Sequence, residues 1–95
     1  MAKVIWSPVA RQDLEAIANY IGKDSSARAA VFVHRLIDAA EQLGKFPASG
    51  RSIPEIGDPD SREILVGAYR LMYHVERDAV IIVSIVHGAR QWPPR

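Results

Sequence analysis

Two β-like stretches crowd the last third of the chain, Tyr69–Glu76 and Ala79–His87, with only Arg77 and Asp78 between them. So short a connection closes them into an antiparallel hairpin. A strand buried on both faces needs only apolar residues. Arg70 partway along the first stretch is therefore unusual, as are His87 and Arg90 at the end of the second. They mark one end of a small sheet for a purpose other than packing.

Upstream, Arg62–Val66 reads as another strand, with Gly67-Ala68 as the turn into Tyr69. Near the start, Lys3 to Trp6 reads as a short strand. Ser7 follows as an N-cap with Pro8 at the first helical position. Val9, Ala10, Leu14, Ile17, Ala18 and Ile21 then recur at helical spacing as far as Gly22. Asp24-Ser25-Ser26 offers a second cap. Ala29, Val33, Leu36, Ile37, Ala40 and Leu43 form the apolar stripe of a longer helix ending near Gly44, and Phe32 widens it. The short link between the helices predicts an antiparallel pair. Phe46 to Ser61 is rich in Pro and Gly and reads as a loop, long enough in a small protein to suggest a function. The 95 residues are expected to form a single domain, 1–95. Its predicted class is α+β: an N-terminal strand, a helical hairpin, then a three-stranded antiparallel meander, all in one twisted antiparallel sheet with the hairpin on one face.

If Arg77 and Asp78 are the central turn residues, Glu76 pairs with Ala79, Met72 with Val83, and Arg70 with Ile85. Arg70, Met72 and His74 then share a face with Ile81, Val83, Ile85 and His87. Tyr69, Leu71, Tyr73, Val75, Val80, Ile82 and Val86 are expected to face the helices. In this register His87 is a diagonal neighbour of Arg70, within side-chain reach. A slip of one residue would put them on opposite faces. Arg70 is open to a second reading, as an ion-pair partner of Glu63 or Glu55, and His87 to one as a solvated strand end.

Other classes recede. The chain has no cysteine, which excludes a disulfide scaffold or a cysteine-based zinc site and suits a reducing cytoplasm. His34 and His74 have no partner at metal spacing, so no metal is expected. The longest apolar run, Ala79 to Val83, falls far short of the roughly 20 residues of a membrane span. The first residues carry no apolar signal core. A net charge of +1 is small for a protein that lives on nucleic-acid backbones.

The ordered set Trp6-Ser7-Pro8, Ala10, Asp13-Leu14, Ile17 and Tyr20-Ile21 continues as Leu43, Phe46-Pro47, Gly50-Arg51, Ile53-Pro54-Glu55 and Arg62-Glu63. It ends in Tyr69-Arg70-Leu71-Met72-Tyr73 and Val86-His87-Gly88-Ala89-Arg90. Over nearly its whole length the chain resembles toxins of the RelE/ParE superfamily, the stable partners in bacterial type II toxin–antitoxin modules. The resemblance implies the fold just read. It also implies a ParD/RelB-like antitoxin that binds the toxin directly in a hetero-oligomer, laying a helix over the hairpin. Phe32, Leu36, Ala39 and Leu43 are the expected contacts. A ParE-like toxin would poison DNA gyrase without catalysis or cofactor, a reading that the near-neutral charge and the His87–Arg90 ending favour. A RelE-like toxin would cut mRNA on the ribosome without a metal, and a sub-branch resembling YoeB would do so with Glu55, Arg70 and His87. Arg51, Arg62 and Arg90 would contact the target or its phosphates. A third possibility is a degenerate toxin that only binds its antitoxin.

Overall fold

The computed structural model describes residues 1–88, so Arg90 and Trp92 lie outside the described residues. The chain runs β1 (Lys3–Trp6), α1 (Pro8–Gly22), α2 (Ser26–Lys45), β2 (Arg51–Ser52), β3 (Ser61–Val66), β4 (Tyr69–Val75) and β5 (Ala79–His87), with a 3-10 turn at Pro47–Ser49. Both helices start where the caps predict. Ser7 Oγ accepts from the Ala10 amide at 3.0 Å, and Ser25 Oγ accepts from the Arg28 amide at 3.1 Å. Each hydroxyl satisfies an amide that the first helical turn leaves without a partner.

The strands form one sheet in the order β1-β5-β4-β3-β2. β3, β4 and β5 make the expected meander, and Gly67 turns β3 into β4 at φ 57°, a conformation that suits glycine. β1 pairs with β5 in parallel, Lys3 opposite Ala79 to Trp6 opposite Ile82. The sheet is therefore mixed rather than antiparallel throughout. The helices cover one face. Leu36, Ala40 and Leu43 of α2 and Ala10 and Ile17 of α1 pack there on Val66, Leu71, Tyr73, Val80, Ile82 and Ile85. On the other face Ile53 covers Met72 and Val86 in a smaller cluster.

The β4–β5 register departs from expectation at one point. Near the turn the pairs are as predicted, Val75 with Val80 and Tyr73 with Ile82. Between Met72 and Tyr73 the partner jumps to Ser84, so that Val83 is a bulged residue. Beyond it Arg70 pairs with Val86 and Tyr69 with His87. Ile85 thus joins the helix-side core, and Val86 moves to the opposite face.

A bulge leaves backbone groups without ladder partners, and α1 supplies them. Ser7 Oγ donates to the Val83 carbonyl at 2.9 Å, and the Ser7 amide donates to the Ile82 carbonyl. Asp13 Oδ2 accepts from Ser84 Oγ at 2.7 Å and from the Ile85 amide at 2.9 Å. A cap and a carboxylate on one helix therefore hold the offset that sets which residues share a face.

The long segment after α2 is tied down by Tyr73, which is fully buried. Its hydroxyl donates to the Pro47 carbonyl at 2.7 Å and accepts from the Gly50 amide at 2.9 Å. A Cβ at Gly50 would lie 2.5 Å from that hydroxyl and 2.6 Å from the Glu63 carbonyl, so the close approach requires glycine. Burial raises the Tyr73 pKa above the ordinary 10.0, with the Gly50 amide pulling the other way.

Two outcomes follow from these ties. Asp13→Ala strands the Ile85 amide and is expected to cost about 1–3 kcal/mol in urea unfolding; an unchanged midpoint would contradict the account of the bulge. Tyr73→Phe should cost a similar amount, roughly 1–3 kcal/mol, at neutral pH. The raised native pKa means that the protonated phenol stabilises the fold fully below pH 10.0, and this contribution is lost as pH climbs toward the native value. Unfolding followed across that range should show Tyr73→Phe losing less stability than the parent.

Candidate functional site

One end of the outer face carries four charged side chains, Glu63, Arg70, Arg51 and Glu55. Glu63 is 1% exposed, because β3 turns it away from the helices and the β2 segment closes over it. Burying a carboxylate alone is costly; it needs matched charges and filled lone pairs. Arg70 and Arg51 provide both. Arg70 Nε donates to Glu63 Oε1 at 2.7 Å, and its Nη2 lies 2.6 Å from the same oxygen. Arg51 meets the other oxygen with Nε at 2.7 Å and Nη2 at 2.6 Å.

Arg70, itself buried, has a second partner. Its Nη1 and Nη2 donate to Glu55 Oε2 and Oε1 at 2.9 and 2.8 Å, the bidentate fork that arginine favours. All three guanidinium nitrogens thus face carboxylate oxygens. Its pKa is raised, first by Glu55 and then by Glu63, with burial opposing. Of the two readings open for Arg70, the ion-pair reading describes this geometry, with both candidate partners at once.

The remaining predicted residues fall in different places. Arg51 keeps 63% of its side chain exposed while bonding Glu63. Arg62 is half-buried, and its Nη1 donates to the Gly50 carbonyl at 2.7 Å and the Ala48 carbonyl at 3.5 Å, clasping the loop that Tyr73 also holds. Arg90 lies outside the described residues.

His87 is not beside Arg70 on a common face, and the bulge is the reason. Its ring packs edge-on against Tyr69 on the helix side, centroids 5.5 Å apart at 79°. Tyr69 in turn packs against Phe32, 5.6 Å away. At the strand end His87 still forms part of the rim of a depression lined by Arg51, Pro54, Glu55, Leu65 and Arg70. The two groups reach that depression from different faces.

The expected antitoxin contacts divide by burial. Leu36 and Leu43 are 0% and 1% exposed, core residues with no surface to offer a partner. Phe32 and Ala39 are half-buried. The exposed apolar groups of the hairpin are others, chiefly Tyr20 at 68% and Val31 at 70%. Helical periodicity identifies the stripe but not its midline, and Leu36 and Leu43 are that midline.

Asp13 is not expected from the sequence as a structural charge, and Glu63 is expected only as one of two partners open to Arg70, not as the buried centre that Arg51 also meets. Asp13 had a signal, since it sits between Ala10 and Ile17 on the inward stripe of α1. Glu63 had a weaker one, alternating with core-facing Ile64 on a strand paired to an arginine-bearing strand. Among the described residues no cluster of His, Asp, Glu or Cys is arranged to hold a metal ion.

Residues 4–92 match the family model of the ParE toxin of type II toxin–antitoxin systems. The chain is 38% identical over 91 residues to a Caulobacter vibrioides protein named Toxin RelE2, covering 95% of this chain and 99% of that one. It is 36% identical over 94 residues to a Sinorhizobium fredii protein named Putative toxin Y4kP, covering 96% and 93%. Among solved structures, a chain of a chromosomal ParDE system from P. aeruginosa shares the fold at a TM-score of 0.76 and 20% identity, covering 92% of this chain and 96% of that one.

The charged cluster has a measurable signature. Glu63→Ala removes the carboxylate between two arginines and leaves Arg70 buried with one partner, an expected loss of about 3–5 kcal/mol. Replacing Glu63 and Arg70 together with leucine removes both charges and should recover most of that loss. Chemical unfolding of both variants checks this, and a double variant as unstable as Glu63→Ala would contradict the electrostatic account.

Proposed function

The chain belongs to the ParE toxin family of type II toxin–antitoxin systems, and on that premise we propose that it arrests growth by binding DNA gyrase and stalling it on cleaved DNA, without nucleolytic chemistry of its own. It is the toxin of such a module; the target and the absence of catalysis are the proposal. In this reading it acts in the cytoplasm, where its target lies. A ParD/RelB-like antitoxin neutralises it by direct binding across the helical hairpin.

The observation that carries the reading is the state of Arg70. Metal-free RNA cleavage needs a group to take the 2′-OH proton, a cation to stabilise the crowded phosphate, and a group to protonate the leaving oxygen. Here the candidate cation already holds Glu55 in a bidentate pair and Glu63 beside it. A phosphate would have to displace one carboxylate and approach another. His87, the candidate acid, packs on Tyr69 instead. These placements favour a surface that binds a protein over one that turns over RNA. The rival reading, ribosome-dependent cleavage by Glu55, Arg70 and His87, draws support from the depression that all three border.

Purified protein added to a gyrase supercoiling assay should inhibit it at micromolar concentration and accumulate cleaved DNA. No inhibition and no trapped complex, together with A-site mRNA cleavage that vanishes in Arg70→Ala, would overturn the proposal in favour of its rival. No growth defect on induction of the chain alone would indicate a toxin that only binds its antitoxin.

A further inference from the structure

We infer that Arg28 and Arg35 select the antitoxin, by pairing with two carboxylates spaced two turns apart on an acidic amphipathic helix whose aliphatic side chain sits between them. The inference rests on the reading that an antitoxin binds the hairpin and goes beyond it by naming the chemistry that decides which antitoxin fits.

A shallow notch opens where α1 ends and α2 begins, lined by Ile21, Ala27, Arg28, Val31, Phe32 and Arg35. Its floor is apolar, and Val31 stands 70% exposed within it. Through Ile21 and Phe32 it continues into a second depression that contains Tyr20, also largely exposed. An apolar strip of this kind, rimmed by charged side chains, suits a docking partner.

The arginines give it a charge pattern. Arg28 and Arg35 are seven residues apart on α2, hence on one face and about 10 Å apart along the axis. Among the described residues neither has a carboxylate within ion-pair distance. The contrast with Arg51 and Arg70, both held by Glu63, is direct. Arg35 instead lies over the Phe32 ring, 6.0 Å from its centroid, with its Nη1 beside Gly67. Among the described residues no acidic side chain lines the notch.

Two unpaired cations flanking an apolar floor call for the complementary pattern: acid, aliphatic, acid. A helix packed along α2 presents residues i and i+7 at the arginine spacing, with i+3 or i+4 over Val31. Nucleic acid fits less well, since Ile21, Val31 and Phe32 offer its backbone nothing polar.

The test uses the full chain and the protein encoded by the adjacent antitoxin frame, purified separately and titrated by calorimetry at about 0.15 M salt. Arg28→Gln or Arg35→Gln should each weaken binding about 5- to 10-fold, and Arg28→Glu with Arg35→Glu about 100-fold or more. Both positions are exposed, so the thermal midpoint of the double variant should match the parent's and exclude misfolding. Changing two antitoxin acids seven apart to lysine should restore binding to the double variant and lose it to the parent. A double variant that binds within about 2-fold of the parent would overturn the inference, as would loss of binding in Val31→Asp alone with the arginine variants unaffected. If the unaltered chain does not bind the antitoxin at all, the reading beneath it falls as well.

Discussion

A carboxylate without water around it must be answered by cations, and Glu63 sets that requirement at the centre of the outer face. Arg70 and Arg51 meet it from opposite sides, and the consequences spread through the structure. Arg51 anchors β2, a strand of only two residues paired to β3, by a side-chain bond beside the backbone ladder. Arg70 is committed to the sheet and draws Glu55 down from the loop beyond β2. Ile53 lies between these tethers and closes over Met72 and Val86. Arg62 and Tyr73 clasp the same loop from below through the Gly50 and Pro47 backbone. The segment is long, yet side chains of β3 and β4 fix it at several points. The pairs carry no net charge, since two arginines balance two glutamates. That suits a structural role better than a site for polyanions.

The second constraint is the bulge at Val83. Ser7 and Asp13 hold it from α1, so the N-terminal third decides which residues face each other at the far end of β5. The offset turns His87 onto Tyr69 and leaves Arg70 to its carboxylates. Without it, the imidazole and the guanidinium would emerge together and the surface would resemble an acid–base site. One inserted residue therefore separates two functional readings of nearly the same sequence.

Most of the fold is legible in the residues themselves. Ser7-Pro8 and Ser25 announce both helices because each hydroxyl has an orphan amide to satisfy. Gly67 announces the β3–β4 turn because its φ suits glycine. The bulge is not legible. Ala79–Val83 and Ile85-Val86 are apolar at every position, so no alternation pins the register. β2 is invisible for another reason: two polar residues in a Pro- and Gly-rich loop have no pattern of their own. At the candidate site, the pairing of Arg70 with Glu63 or Glu55 is readable as an option, and complementary charge makes it so. That both carboxylates are engaged at once depends on the loop path, which the sequence does not disclose. Leu36 and Leu43 mark the same limit, since an apolar stripe shows which way a helix faces but not how deep each residue lies.

The central claim is that Arg70 is held by two carboxylates while His87 packs on the opposite face. Nuclear Overhauser contacts in the isotope-labelled protein test it most directly. The account predicts contacts between the His87 and Tyr69 rings, contacts of Arg70 with Val86 across the strand pair, and none between the His87 imidazole and the Arg70 side chain. Cross-strand contacts of Arg70 with Ile85, with His87 ring protons close to the Arg70 side chain, would contradict it.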